Sequence, residues 1–215
     1  MKLKKIASLM LAGCNTTSVD PEPTPEPTPA TGYSVEMASN LSDDAKKDYI
    51  AFEDNADDLA ALEDALGKLS WTTTAGYTLP KVAIPVDDWG KEDIVLMVDD
   101  FVDALDIKNN DLSDGWVWDD LVFNCHRYDA ETVKYGLMYV IDGTVDENDA
   151  LEKIAGDVED LLANLPNIND FGVTHYTYDY TVSVSVANKA LDVIDWYNGS
   201  ANFIAVTVTR VPTAA

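Results

Sequence analysis

One stretch near the C-terminus, THYTYDYTVSVSVA (174–187), alternates regularly between apolar and polar residues. Successive side chains of a β-strand point to opposite faces, so this stretch has one apolar and one polar face. It predicts a long strand in a sheet that is covered on one side, which is typical of antiparallel sheets. Its apolar positions are Tyr176, Tyr178, Tyr180, Val182, Val184 and Val186.

Further on, the segment DVIDWYNGSANFIAVTVTRV (192–211) contains two strand-like runs. Between the two runs stand Asn198 and Gly199, residues that tolerate the positive φ angles of a type I′ turn. The pair predicts a tight hairpin with its turn at Asn198-Gly199.

Three segments have apolar residues at the three- and four-residue spacing of amphipathic helices. The first predicts one long helix over 42–69, and the second predicts a helix over 91–107. The third begins with Thr144 and Glu147 in capping-box spacing and is stopped by Pro166.

Two further regions are rich in β-forming residues. The run 71–86 contains Pro80 and Pro85, which restrict it to short or edge strands. The runs 116–128 and 132–142 are separated by a short polar segment and predict a hairpin.

This order of elements indicates an α+β fold with an antiparallel sheet and helices packed on one face. The leading topology is a ferredoxin-like β-α-β-β-α-β core over 71–187. An extra N-terminal helix and a long C-terminal hairpin would extend it, giving a single globular domain over 33–212.

The chain is strongly acidic, with 39 Asp and Glu against 14 Lys and Arg. Such a charge repels nucleic acid, and the acids are spread along helix faces as on a solvated surface. Neither acidic segment, 106–116 or 142–152, has the ligand register of an EF-hand, which leaves only weak divalent binding as an alternative. With two histidines and few thiols, no zinc site or cofactor is predicted.

Cys125 is the one residue that suggests nucleophilic chemistry. His126 is its neighbour, but adjacent residues of a strand face opposite ways, so the two would not form a nucleophile–base pair. His175 would have to supply the base. A buried structural cysteine is the simpler interpretation, and no catalytic residue is predicted.

Four tryptophans are candidates for ligand binding. Trp116 and Trp118 are two residues apart and share one face of the predicted strand, while Trp89 and Trp196 fall in polar settings. An exposed aromatic row can stack on sugar rings or contact a protein. The alternative is that Trp116 and Trp118 pack beneath a helix.

The start of the chain, MKLKKIASLMLAGC, has lysines followed by an apolar run, as in an export signal. Its last four residues match a bacterial lipobox, which predicts a signal peptide over 1–13 and lipidation of Cys14. The following segment, 14–32, has proline at every second position from Pro21 to Pro29 and predicts an extended tether.

This opening, the PEPTPEPTP spacer and the terminal run FIAVTVTRVP together resemble the uncharacterised lipoproteins of gut Clostridia. The resemblance implies a lipid anchor at Cys14 and no particular activity. We therefore expect a membrane-anchored protein on the extracytoplasmic face of a bacterial cell, with a non-enzymatic domain that binds or displays an extracellular protein or glycan. The alternatives are a hydrolase using carboxylates or Cys125, and a structural subunit that assembles by strand addition.

Overall fold

The computed structural model describes residues 32–69, 81–86, 92–108, 130–169, 174–193 and 197–215. All of them belong to one unit, Thr31–Ala215. The helices of this part of the chain are α1 (Tyr33–Ser39), α2 (Ala56–Lys68), α3 (Glu92–Ala104) and α4 (Glu147–Ala163). The strands are β1 (Ile50–Phe52), β2 (Ile84–Pro85), β3 (Val133–Asp142), β4 (Ile168–Asn169), β5 (Tyr176–Val193) and β6 (Tyr197–Ala214).

The strands form one sheet in the order β1-β5-β6-β3-β2, and β4 also pairs with β5. β1 is parallel to β5, and the other pairings between the described strands are antiparallel. The α+β class is thus confirmed. Among the described strands, β2 pairs only with β3, at the end of the sheet, as predicted for a strand that contains Pro85. None of the described helices is long and apolar enough to cross a membrane.

The long C-terminal hairpin is confirmed, but its predicted turn is wrong. β5 and β6 pair from Tyr176 with Ala214 up to Val193 with Tyr197. Asn198 and Gly199 therefore lie within β6. Their local preference for a turn is overridden by the register of the long antiparallel pair, which places the connection at 194–196, outside the described residues.

The sheet is covered by helices on both faces, so the prediction of helices on one face is wrong. One apolar cluster joins α1 and α4 to residues such as Ile204 and Val206 of β6. A second cluster joins α2 and α3 to Phe203 and Ala205 of the same strand. Alternate residues of a strand face opposite sides, so β6 is buried on both. Its nearly continuous apolar run is the sequence pattern of such a strand.

The ferredoxin-like core over 71–187 is not confirmed. β6 lies outside that range, yet it is inserted between β3 and β5 and is hydrogen-bonded to both along most of its length. The strand that the prediction treated as an appended hairpin arm is the centre of the sheet.

The single helix predicted over 42–69 is also wrong. Ile50–Phe52 form β1 because their backbone pairs with Tyr180–Val182 of β5, and the helix begins only at Ala56. Apolar residues at helical spacing occur on both sides of the break, so periodicity alone did not separate strand from helix. The short helix α1 precedes this region.

The remaining helix predictions are closer. α3 buries Ile94, Met97, Val98 and Phe101 as expected. α4 has the predicted buried stripe, but its N-cap is Asp146 instead of Thr144, because the Asp146 side chain accepts a hydrogen bond from the Asn148 amide. The predicted partner strand at 116–128 lies outside the described residues.

Candidate functional site

Most residues singled out from the sequence lie outside the described part of the chain. This holds for Cys14, Cys125, His126, Trp89, Trp116, Trp118 and Trp196. His175 is described, and its Nδ1 lies 3.4 Å from the carbonyl oxygen of Asn169. The described residues contain no group of three or more His, Cys, Asp or Glu side chains placed to hold a metal ion.

The acidic segment 142–152 is explained by local structure. Asp142 is 3% exposed, accepts hydrogen bonds from the amide and hydroxyl of Thr144, and pairs with Lys81. Burial by itself would raise the pKa of Asp142, but the hydrogen bonds from Lys81 and Thr144 outweigh it and lower the pKa below its usual value. The carboxylate serves to hold the end of β3.

A cleft of about 490 Å³ opens at one edge of the sheet, where β5 extends beyond the three residues that pair with β1. We call it the edge cleft. Its volume lies within the range of small-molecule binding sites. It is lined by Gly32, Tyr33, Glu36, Asp54, Asn55, Ala56, Leu59, Asn148, Val184 and Ser185.

The edge cleft is built from the N-terminal ends of three helices and one strand. Tyr33 and Glu36 belong to α1, Ala56 and Leu59 to α2, and Asn148 to the first turn of α4. Each of the two longer helices begins at a defined residue because a side chain caps it. Asn55 accepts a hydrogen bond from the Asp57 amide (2.9 Å), as Asp146 does from Asn148 (3.0 Å).

Two lining residues, Asp54 and Val184, are held by hydrogen bonds to Ser34, which is fully buried. The Ser34 amide donates to Oδ1 of Asp54, and the Ser34 hydroxyl accepts from the Val184 amide, both at 2.9 Å. A Cβ atom on Gly32 would lie 1.7 Å from Oδ2 of Asp54, so any other residue there would displace the Asp54 carboxylate. These contacts fix the start of the domain against β5.

Within the part of the chain that the structure describes, the charged groups of the edge cleft are carboxylates. Glu36 and Asp54 line it, and the Tyr33 hydroxyl donates a hydrogen bond to Glu147 at its border. Burial, the hydrogen bond to Glu147 and the charges of Glu147, Asp146 and Asp54 raise the pKa of Tyr33 to about 12. The ten described residues that line the cleft include no Lys, Arg or His. Its surroundings therefore disfavour negative charge.

The raised pKa of Tyr33 gives a testable pH dependence. The neutral phenol is favoured in the folded protein, so its contribution to stability is fully present below the ordinary tyrosine pKa of 10.0 and is lost as the pH rises to about 12. We expect Tyr33→Phe to remove this part of the alkaline loss of unfolding free energy.

Phenolate absorbance would measure the ionisation of Tyr33 directly, as the difference between wild type and Tyr33→Phe. In a Glu147→Gln variant the ionisation should move to lower pH, because the hydrogen-bonded charge is gone. Ionisation of Tyr33 near pH 10 in the wild type would contradict the burial of its hydroxyl and its hydrogen bond to Glu147.

A second polar cluster lies under α2, on the opposite face of the sheet from α1 and α4. Asp58 is 1% exposed and accepts a hydrogen bond from the Thr207 hydroxyl (2.5 Å). Its other oxygen pairs with Lys134 of β3, whose side chain is 17% exposed. The Asn55 amide donates to Ser183 of β5 nearby (3.1 Å). These contacts fix the N-terminal end of α2 to the sheet, which places Asn55 and Ala56 in the edge cleft.

The edge cleft was not predicted from the sequence. Its residues are divided among the end of the predicted tether, the start of the predicted domain, the predicted long helix, the third predicted helix and the predicted strand 174–187. One local signal was present, since Asn55 followed by Asp57 and Asp58 is typical of a helix N-terminus. No local signal connects Tyr33 with Glu147, which the fold brings together.

The chain matches no known protein family, no curated protein and no solved structure.

Proposed function

We propose that the protein is a lipid-anchored extracytoplasmic protein whose folded domain binds a ligand without transforming it. The anchor would be Cys14, and the proline-rich segment 14–32 would carry the domain away from the membrane surface. The lipobox and the spacer support this lipid-anchored, extracytoplasmic location. The observation that carries the binding role is the edge cleft, with its volume of about 490 Å³.

The chemistry of the edge cleft supports binding. Its lining offers apolar surface from Ala56, Leu59 and Val184 together with a few polar groups, which is the usual composition of a ligand site. One oxygen of Asp54 accepts a hydrogen bond from the Ser34 amide, and the Tyr33 hydroxyl donates to Glu147; these two contacts hold the walls. The tryptophans proposed as a glycan or protein contact remain a prediction.

One observation favours hydrolysis as a second candidate function. Glu36 and Asp54 line the same cleft, and a pair of carboxylates can act as general acid and general base. Turnover of a chromogenic ester or glycoside that is lost in both Glu36→Gln and Asp54→Asn would favour this candidate over binding alone.

The lipid-anchored location is tested by the intact mass of the protein in the membrane fraction of the producing bacterium. We expect the wild-type chain to begin at Cys14 and to carry acyl groups, because the lipobox directs cleavage before the lipidated thiol. Cys14→Ala should lose both the acyl mass and the membrane association completely.

Cys125→Ala is the matched control, since it removes the other thiol of the chain. It should keep the wild-type mass shift and fractionation. A wild-type protein found unprocessed in the soluble fraction would overturn the proposed lipid-anchored location. An acyl mass that persists in Cys14→Ala would overturn Cys14 as the anchor.

A further inference from the structure

The net charge at the edge cleft depends on the helix N-termini and the carboxylates that surround it. Helix N-termini carry at most about half a positive charge each, and it falls off within the first turn. Three such ends meet at the cleft, but two of the helices are already capped by side chains. Against them stand the full negative charges of Glu36, Asp54 and Glu147. The carboxylates outweigh the helix ends, so the cleft is negative.

We infer that the edge cleft binds a small organic cation, an amine with an apolar body, with the ammonium group held by Glu36 and Asp54 and the body against Leu59, Ala56 and Val184. This inference deepens the proposed binding function and rests on it. Burial and the hydrogen bond to Glu147 are the main causes of the raised pKa of Tyr33, and the charges of Glu147, Asp146 and Asp54 add to it, in agreement with a negative cleft.

Two other occupants fit the residues less well. A divalent metal ion would need several converging oxygen ligands, and the described residues hold no group of three or more acidic, His or Cys side chains placed for one. The chain's own tether contains Asp20, Glu22 and Glu26 and no basic residue. An acidic segment of this kind offers a cleft lined by carboxylates no opposite charge.

The inference is tested with three probes that share a phenyl ring and a two-carbon chain: 2-phenylethylamine, 2-phenylethanol and phenylacetate. Binding to the purified full-length chain would be measured by calorimetry and by NMR shifts at neutral pH. We expect the amine to bind at least about tenfold more tightly than the alcohol, and phenylacetate to bind more weakly than either. Added salt should weaken the binding of the amine and not of the alcohol, because it screens charges.

Substitutions of the two carboxylates test whether they cause the tighter binding of the amine. Glu36→Gln and Asp54→Asn should each weaken amine binding about three- to tenfold and leave binding of the alcohol unchanged. Asn at position 54 keeps an oxygen that can accept from the Ser34 amide. Asp99→Asn, an exposed site on α3 outside the cleft, is the matched control and should bind like wild type. Thermal melting confirms that each variant is folded.

The outcomes separate the inference from the proposed function. Equal binding of all three probes, or tightest binding of phenylacetate, would overturn the cationic ligand and leave a ligand-binding cleft. Binding of no probe, with no NMR shifts at the lining residues, would overturn the ligand role of the cleft itself. Lipidation of Cys14 is read separately by mass and is unaffected by either result.

Discussion

Replacing Lys134 with methionine is expected to lower the free energy of unfolding by about 3–5 kcal/mol. Lys134 pairs with Asp58, whose side chain is only 1% exposed and has the Thr207 hydroxyl as its other partner. Without the ammonium group, the Asp58 carboxylate would be buried with its charge uncompensated. Denaturant unfolding of the purified chain gives the measurement.

The reason for this loss can be isolated with two further variants. Asp58→Asn combined with Lys134→Met removes both charges, so most of the lost stability should return. Lys68→Met is the matched control, because Lys68 and Asp100 form a pair whose side chains are 62% and 43% exposed. Exposed pairs contribute about 1 kcal/mol or less. Equal small losses for Lys134→Met and Lys68→Met would contradict the buried pair.

Replacing either Phe203 or Ile204 with alanine is expected to destabilise the protein strongly, although the two residues are neighbours on one strand. Both are fully buried, Phe203 under α2 and α3 and Ile204 under α1 and α4. Loss of the aromatic side chain should cost about 3–5 kcal/mol and loss of the Ile204 side chain about 2–5 kcal/mol.

This pair of variants distinguishes a sheet covered on both faces from a sheet covered on one. With one covered face, one of the two substitutions would change stability by no more than about 0.5 kcal/mol. Val211→Ala on the same strand is the control, because Val211 is 42% exposed and its truncation should have that small effect. Chemical denaturation monitored by circular dichroism gives all three values.

The sequence predicted elements wherever a single periodicity extended over many residues. The alternation in β5 and the apolar stripe of α4 were both recognisable, and both elements are present. The segment around β1 was misassigned because Ile50–Phe52 become a strand only through their pairing with β5, about 130 residues later. A tertiary partner of that kind leaves no trace in local periodicity.

The candidate site was hidden for the same physical reason. Ser34 contacts Val184, and Tyr33 contacts Glu147, so each wall of the edge cleft depends on contacts between distant parts of the chain. The alternating sequence of β5 showed that one face of the strand is polar, and it predicted that this face is exposed to solvent. In the fold Ser183 and Ser185 are buried, because α2 covers that face with a partly polar surface.

The central position of β6 has a consequence for the order of folding. A ribosome releases the chain from its N-terminus, and β6 is the last of the described elements to appear. Until it does, β3 and β5 lack the strand that joins them, and the apolar faces of the helices lack most of their sheet. Contacts of such long sequence separation form slowly. We therefore expect the nascent domain to stay unfolded until β6 has been synthesised, a state in which a chain can still be threaded through a narrow pore.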